Sequence, residues 1–233
     1  ATVTSALTFT SANWDTPQTV TVTGVDDDTI DGTISSTITV SINDGSSDNN
    51  FDAVADQTVT ATTTDDDVAG FTIVESGGST SVSESGTTDT FTVVLDAQPG
   101  SDVVFAITSS DTGEATVTTP LTFTNANWDT PQTVTVTGID DLAVDGNQIS
   151  TITVSVNDGA SDNGYDSVAD QAFSVTTSDD DTAGFTITLT EGSTEVAESG
   201  STDTFVIALN TQPSSDVVVT FVSSDTGETS VTN

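Results

Sequence analysis

Aspartate triplets punctuate this chain. Asp65-Asp66-Asp67 and Asp179-Asp180-Asp181 each follow a Thr-rich stretch. Further acids gather upstream of them, as Asp26-Asp27-Asp28 with Asp31 and as Asp140-Asp141 with Asp145. Glu84 and Asp111 lie between these groups, and Glu198 and Asp225 repeat their order further on. Carboxylates held this close repel one another, and each disfavours ionisation of the next unless a cation lies among them. Donors that are all oxygen suit a hard cation, and calcium takes about six to eight oxygens from Asp, Glu and backbone carbonyls. The chemistry these spacings could do is therefore cation binding, with Ca2+ as the expected ion. The competing reading is a set of solvated acidic turns, since Asp is a common turn residue.

Composition sharpens the choice. The chain has 37 Asp and Glu and no Lys, Arg or His, a formal net charge of −37. No internal cation can neutralise the carboxylates, and self-repulsion of this size opposes a compact state. Positive charge must come from outside the chain. The same count removes nucleic acid and anionic membrane surfaces as partners, because both are gripped through Lys and Arg. No apolar run approaches the ~20 residues of a membrane-spanning helix, and no stretch reads as a signal peptide. Without Cys there are no disulfides, and without Lys there are no Lys–Asn isopeptide crosslinks. Disorder is the other outcome open to an acidic chain, but 33% of residues are hydrophobic and they fall in regular patterns.

Enzymatic chemistry finds little to work with. Asp111-Thr112-Gly113 and Asp225-Thr226-Gly227 copy the Asp-Thr-Gly loops of aspartic proteases, whose paired carboxylates share a proton. Here Ser109 and Ser110 precede the first motif where apolar residues would be needed, and Glu114 and Glu228 follow the two copies. A glycosidase also needs only two carboxylates, but it needs an aromatic-lined cleft. The ten Phe, two Trp and one Tyr fall mostly at core positions. Trp14 and Trp128 could form a sugar platform, or each could cover a core edge beside Pro17 or Pro131. No His or Cys is present to act as base or nucleophile. The chain is read as a non-enzyme.

The elements that must position the acids come from a tandem repeat. Leu7-Thr8-Phe9-Thr10 recurs as Leu121-Thr122-Phe123-Thr124, and Asn13-Trp14-Asp15-Thr16-Pro17-Gln18 as Asn127-Trp128-Asp129-Thr130-Pro131-Gln132. Glu84-Ser85-Gly86 returns as Glu198-Ser199-Gly200, and every pair is 114 residues apart. Roughly two-thirds of aligned positions are identical, the mark of a tandem duplication. One complete unit spans 68–181. Residues 1–67 form the C-terminal part of a repeat and 182–233 the N-terminal part of the next. These flanking parts are expected to be completed by a longer chain or by a neighbouring one.

Within the unit, apolar and polar residues alternate with a period of two, as in Thr19-Val20-Thr21-Val22-Thr23. Strands are predicted near 70–75, 89–95, 102–108, 120–124, 132–138, 150–156 and 171–177. The fold class is all-β: tandem seven-stranded antiparallel Ig-like β-sandwiches. The acids then fall between strands, where several loops can converge. A second acidic set, Asp158, Asp162, Asp166 and Asp170, mirrors Asp44, Asp48, Asp52 and Asp56. It is either a second cation site or a solvated hairpin.

The pattern resembles Calx-beta domains, the calcium-binding sandwiches of sodium–calcium exchangers, whose relatives occur as repeats in large bacterial surface and adhesin-type proteins. Glu84 matches the family's Glu before its second strand, and Asp111 its Asp after the next. Val134 to Ile139 followed by Asp140, Asp141 and Asp145 matches its acidic strand end. Asp179-Asp180-Asp181-Thr182-Ala183-Gly184-Phe185 matches its closing motif. Leu142 departs from the earlier copy, which has Asp28. The resemblance implies that these positions bind calcium. The expected function is a calcium-stabilised structural repeat of a secreted bacterial surface protein, forming a rigid stalk or extracellular filament. The alternative is an adhesive module that binds a glycan or protein directly. The expected partners are neighbouring copies of the same repeat, within one chain or between chains, at the cell surface, with any host ligand bound elsewhere in the parent protein.

Overall fold

Thr and Val are stiff, β-branched residues that suit a pleated strand, and their alternation gives each strand one apolar face. The computed structural model, which describes residues 2–3 and 6–231, builds them into strands throughout. Four come first: β1 (Thr2–Val3), β2 (Val22–Thr23), β3 (Ile34–Val40) and β4 (Gln57–Thr63). The central unit follows with β5 (Phe71–Glu75), β6 (Thr80–Ser83), β7 (Thr88–Leu95), β8 (Val103–Ser109) and β9 (Ala115–Val117). It continues through β10 (Leu121–Phe123), β11 (Gln132–Gly138), β12 (Gln148–Val156) and β13 (Gln171–Ser178). The last strands are β14 (Phe185–Leu189) and β15 (Phe205–Leu209). Helical structure among the described residues is limited to three-residue 3-10 turns.

The central strands form a five-stranded sheet in the order β10-β8-β12-β13-β6 and a four-stranded sheet in the order β5-β7-β11-β9. Residues two apart bury together, as the period requires: Phe91, Val93 and Leu95 on β7, Val103, Phe105 and Ile107 on β8, Val134 and Val136 on β11. They meet in one hydrophobic cluster that draws on both sheets. Phe105 joins them, edge-on to Phe71 at 4.8 Å and to Phe123 at 5.9 Å. Tyr165 is fully buried and donates its hydroxyl to the Ala97 carbonyl, which supplies the partner a buried phenol needs. The all-β sandwich expected from the sequence is present, and all seven expected strands lie within two residues of their predicted bounds. Two short strands add to that count. β9 extends the four-stranded sheet, and β6 lies parallel to β13, so the pairing is not antiparallel throughout.

Gly138 marks how tightly β6 is seated: a Cβ there would overlap the Ser83 backbone. The flanking segments reuse the same registers. β3–β4 pairs Ile34 with Thr63 as β12–β13 pairs Gln148 with Thr177, 114 residues on. β14–β15 pairs Phe185 with Leu209 as β5–β7 pairs Phe71 with Leu95. Successive repeats also touch. The Gln98 backbone N–H donates to the Asp28 carbonyl at 2.7 Å, and Thr29 Oγ1 donates to Gln98 Oε1 at 2.9 Å. One repeat later the Gln212 N–H donates to the Leu142 carbonyl at 2.6 Å. Ile30 packs from the earlier segment against the central core.

Candidate metal centre

Two carboxylate groups form where the strands end. In the first, Glu84 leaves β6 and meets Asp179 and Asp181, which leave the adjacent β13. In the second, Glu114 meets Asp141 and Asp145 from the loop after β11. Within each group the three carboxylate oxygens lie within 4.8 Å of one another. Strand pairing explains the first. The parallel β6–β13 register sets Ser83 beside Ser178, and the Glu84 N–H continues it by donating to the Ser178 carbonyl at 3.1 Å.

Glu84 is only 1% exposed, and neither of its carboxylate oxygens has a hydrogen-bond partner. Burial, then the charges of Asp179, Asp141 and Glu114, push its carboxyl up to about 7. The Asp180 backbone N–H acts the other way without reaching hydrogen-bond geometry. Glu114 is also buried, with Oε2 unpartnered, and its carboxyl is raised by burial and then by Asp145, Asp111, Asp141 and Asp179. Asp181 has an unpartnered Oδ2 and is raised by burial and then by Asp179, Asp180, Asp140 and Asp141. Asp179 is the counterexample: N–H groups of Gly146 and Asp181, both at 2.8 Å, hold it below the usual carboxylate range. Such a set cannot be an ion pair, because the chain has no cation. Buried acceptors without donors carry a desolvation cost that a bound cation would remove. An all-oxygen donor set fits a hard ion such as calcium.

Not every expected ligand converges. Asp140 and Asp180 lie outside both groups and act on Asp181 through their charge. Asp111 is exposed and accepts the Gly113 N–H at 2.9 Å, closing its own Asp-Thr-Gly turn. Asp225 does the same with Gly227 at 2.9 Å, so each protease-like motif is a self-contained turn. Glu198 is exposed and outside any acidic group among the described residues. In the first segment, Asp65 accepts N–H groups from Gly32 at 2.7 Å and Asp67 at 2.9 Å, repeating the Asp179 arrangement. Asp26, Asp27, Asp31 and the triplet Asp65 to Asp67 line one open cavity, while Asp28 lends its carbonyl to Gln98. Asp67 is raised by burial and then by Asp65, Asp28, Asp66 and Asp26.

Glu114 is the ligand candidate that sequence reasoning missed. Its in-register return as Glu228 was the available signal. In the second acidic set, Asp162 accepts the backbone N–H groups that close its turn. Burial raises Asp162, but bonds from the Gly164 N–H at 2.8 Å and the Ser101 N–H at 2.7 Å outweigh it and hold the carboxyl low. Trp128 is half-buried against the core, whereas its twin Trp14 is 71% exposed.

No protein-family model and no curated protein matches the chain. Among solved structures it is similar to domains 4 and 5 of the S-layer protein SbsC, at 21% identity and a TM-score of 0.30. That match covers 53% of this chain and 62% of that one. It is also similar to domains 1–6 of the same protein, at 20% identity and a TM-score of 0.33, over 66% of this chain and 24% of that one. The chain thus matches less than two-thirds of either structure's length, and at such scores the likeness does not amount to a shared topology.

Proposed function

We propose that this chain is a calcium-stabilised structural repeat of a secreted bacterial surface protein, in which the ion braces the joint between successive sandwiches. The observation that carries the reading is Glu84, a carboxylate sealed in the protein with no donor, facing Asp179 and Asp181. Glu84, Asp179 and Asp181 would hold one ion, and Glu114, Asp141 and Asp145 would hold a second. The ion would supply the positive charge that the sequence lacks.

The loop that offers Asp141 and Asp145 also contains Leu142, whose carbonyl receives the Gln212 N–H of the next repeat. Asp181 is separated from β14 only by Thr182-Ala183-Gly184. That spacer is too short to act as a flexible linker. A cation that fixes the loop therefore also fixes the surface on which the neighbour rests. A row of such joints makes a stiff stalk or filament. An adhesive role has less support. Trp14 is the most exposed aromatic, but its half-buried twin marks it as a core-edge residue rather than a built platform.

The test is thermal unfolding of the chain in millimolar calcium and in excess chelator, at low salt. An ion that binds only the folded state raises the melting temperature by mass action. A melt that does not move between the two conditions refutes the proposal.

A further inference from the structure

The chain enters and leaves the central unit on strands that run side by side. The entering strand β5 lies in the four-stranded sheet. After the turn Ser76-Gly77-Gly78, where both glycines have positive φ, the chain crosses to the other sheet as β6. β6 pairs in parallel with the last strand, β13, from Thr80 beside Val175 to Ser83 beside Ser178. The other strand pairs of the central unit are antiparallel. The Glu84 N–H extends the ladder to the Ser178 carbonyl at 3.1 Å, and Ser178 Oγ donates to the Val82 carbonyl at 3.4 Å. At the start of β13, Gln171 Nε2 donates to the Phe71 carbonyl at 2.6 Å. The entering strands are thus tied to the leaving strand start to start and end to end.

That direction matters for a chain under tension. The chain continues on both sides of the unit, so a pull along it enters at Val68 and leaves at Asp181. It drags β6 toward its own start and β13 toward its own end. Parallel strands loaded in this way slide along each other. Their evenly spaced bonds run across the strands, so all of them are strained together. An antiparallel terminal pair would instead open from one end, bond by bond. β6 cannot simply lift away. Thr80 and Val82 are buried, and the Ser83 backbone lies so close to Gly138 of β11 that a Cβ there would overlap it. Sliding also parts Glu84 from Asp179 and Asp181, whose carboxylate oxygens lie within 4.8 Å of its own. Slip by one residue moves them about 3.3 Å. Glu84 is buried with both oxygens unpartnered, so a cation held by these three groups would oppose the first step of slip.

We propose that the β6–β13 ladder is the force-bearing element of the repeat, holding the sandwich against tension along the chain, and that a cation among Glu84, Asp179 and Asp181 locks it. The ladder's part rests on strand direction alone; the lock rests on the cation site proposed above.

The experiment uses the 233-residue chain, which has no cysteine of its own, so two introduced cysteines define where force is applied. Val68→Cys with Thr182→Cys loads the unit through its ends and shears the ladder. Ser85→Cys with Thr182→Cys loads one end of the ladder and peels β6 from β13. All three positions are exposed. Each variant is stretched by single-molecule force spectroscopy, first in chelator. The length released at full extension identifies the unit, up to about 400 Å for the first pair and about 340 Å for the second. Forced unfolding follows the unfolding rate, and at equal loading rate the first pair should unfold at roughly twice the force of the second or more. Equal forces, or a weaker first pair, overturn the proposal. Calcium should raise the force of the first pair further, and Glu84→Gln should remove that rise. Direction dependence without a calcium increment supports the ladder and overturns the lock. The melt in calcium and chelator then tells the two readings apart: a melt that rises while the force does not leaves the cation site standing and overturns the lock alone.

Discussion

Replacing Glu84 by Gln separates the two sides of the proposed site in one substitution. Glu84 is buried, and its carboxyl sits at about 7 instead of 4.5. A folded-state pKa above the unfolded value means that the folded state binds the proton more tightly. The associated stability is complete below about 4.5 and is lost as pH rises through about 7. A rise of that size corresponds to about 3 kcal/mol between the two protonation states. In chelator, the wild-type chain is therefore expected to lose stability steadily across this window, and its melting temperature to fall by roughly 10 °C. Glu84→Gln keeps the shape and removes the charge. In chelator it should flatten that slope and melt well above wild type on the alkaline side.

Calcium should reverse the ranking. The ion needs the deprotonated carboxylate, so below about 7 the wild-type affinity should weaken by roughly tenfold for each further pH unit, with a proton released on binding. Glu84→Gln loses a charged ligand, and most of the calcium-induced rise in melting temperature should go with it. The assay is far-UV circular dichroism melting over a pH series, in calcium and in chelator, with proton release read by calorimetry in two buffers. A wild-type melt in chelator that is flat across the window, or a Glu84→Gln variant that keeps the full calcium response, refutes the reasoning.

Three further outcomes follow from the same geometry. Asp181→Asn should give a shorter, broader particle by small-angle scattering in calcium, like wild type in chelator, whereas Asp180→Asn should remain extended because Asp180 lies outside both acidic groups. Tyr165→Phe should cost about 1 kcal/mol or somewhat more in denaturant unfolding, because it strands the buried Ala97 carbonyl that the hydroxyl now satisfies. Residues 68–181 alone should unfold in one cooperative transition, while 1–67 alone should show none, since Phe9, Val22 and Val40 have nothing to cover them.

Much of this architecture was legible because the repeat fixes the period and the Thr-Val alternation fixes the faces. All seven expected strands fell where alternation placed them. β6 and β9 were invisible for a physical reason: Thr80-Ser81-Val82-Ser83 and Ala115-Thr116-Val117 lack the pair of large alternating apolar residues that Leu121-Thr122-Phe123 shows in β10. Their existence depends on pairing with β13 and β11, which is tertiary information. The site divides similarly. The Asp triplets announced a charge problem, and Glu84, Asp141, Asp145, Asp179 and Asp181 do converge. A count of carboxylates cannot separate those that face one another from those that close their own turn, and Asp111 belongs to the second kind. In the sequence Glu114 reads only as a residue that spoils a protease motif. Its burial appears only once β9 is folded behind it.

The acidic groups sit at strand ends next to a joint rather than within a sheet, and that placement couples two properties otherwise set independently. Inside the unit, Glu84 ties β6 to the end of β13, and Glu114 lies just before β9, opposite the loop after β11. Without positive charge these carboxylates repel one another. The loop from Asp140 to Gly146 offers Asp141 and Asp145 to the second acidic group, and it carries the Leu142 carbonyl that meets Gln212. Under the proposed function one binding event would both close the sandwich and set the platform for the next. Lys or Arg at these positions would also neutralise the acids, but permanently and one repeat at a time. A chain with no cation of its own leaves that step to the medium. Under the proposed function such a chain would stay loose where calcium is scarce and stiffen where calcium is plentiful, as a stalk or filament requires.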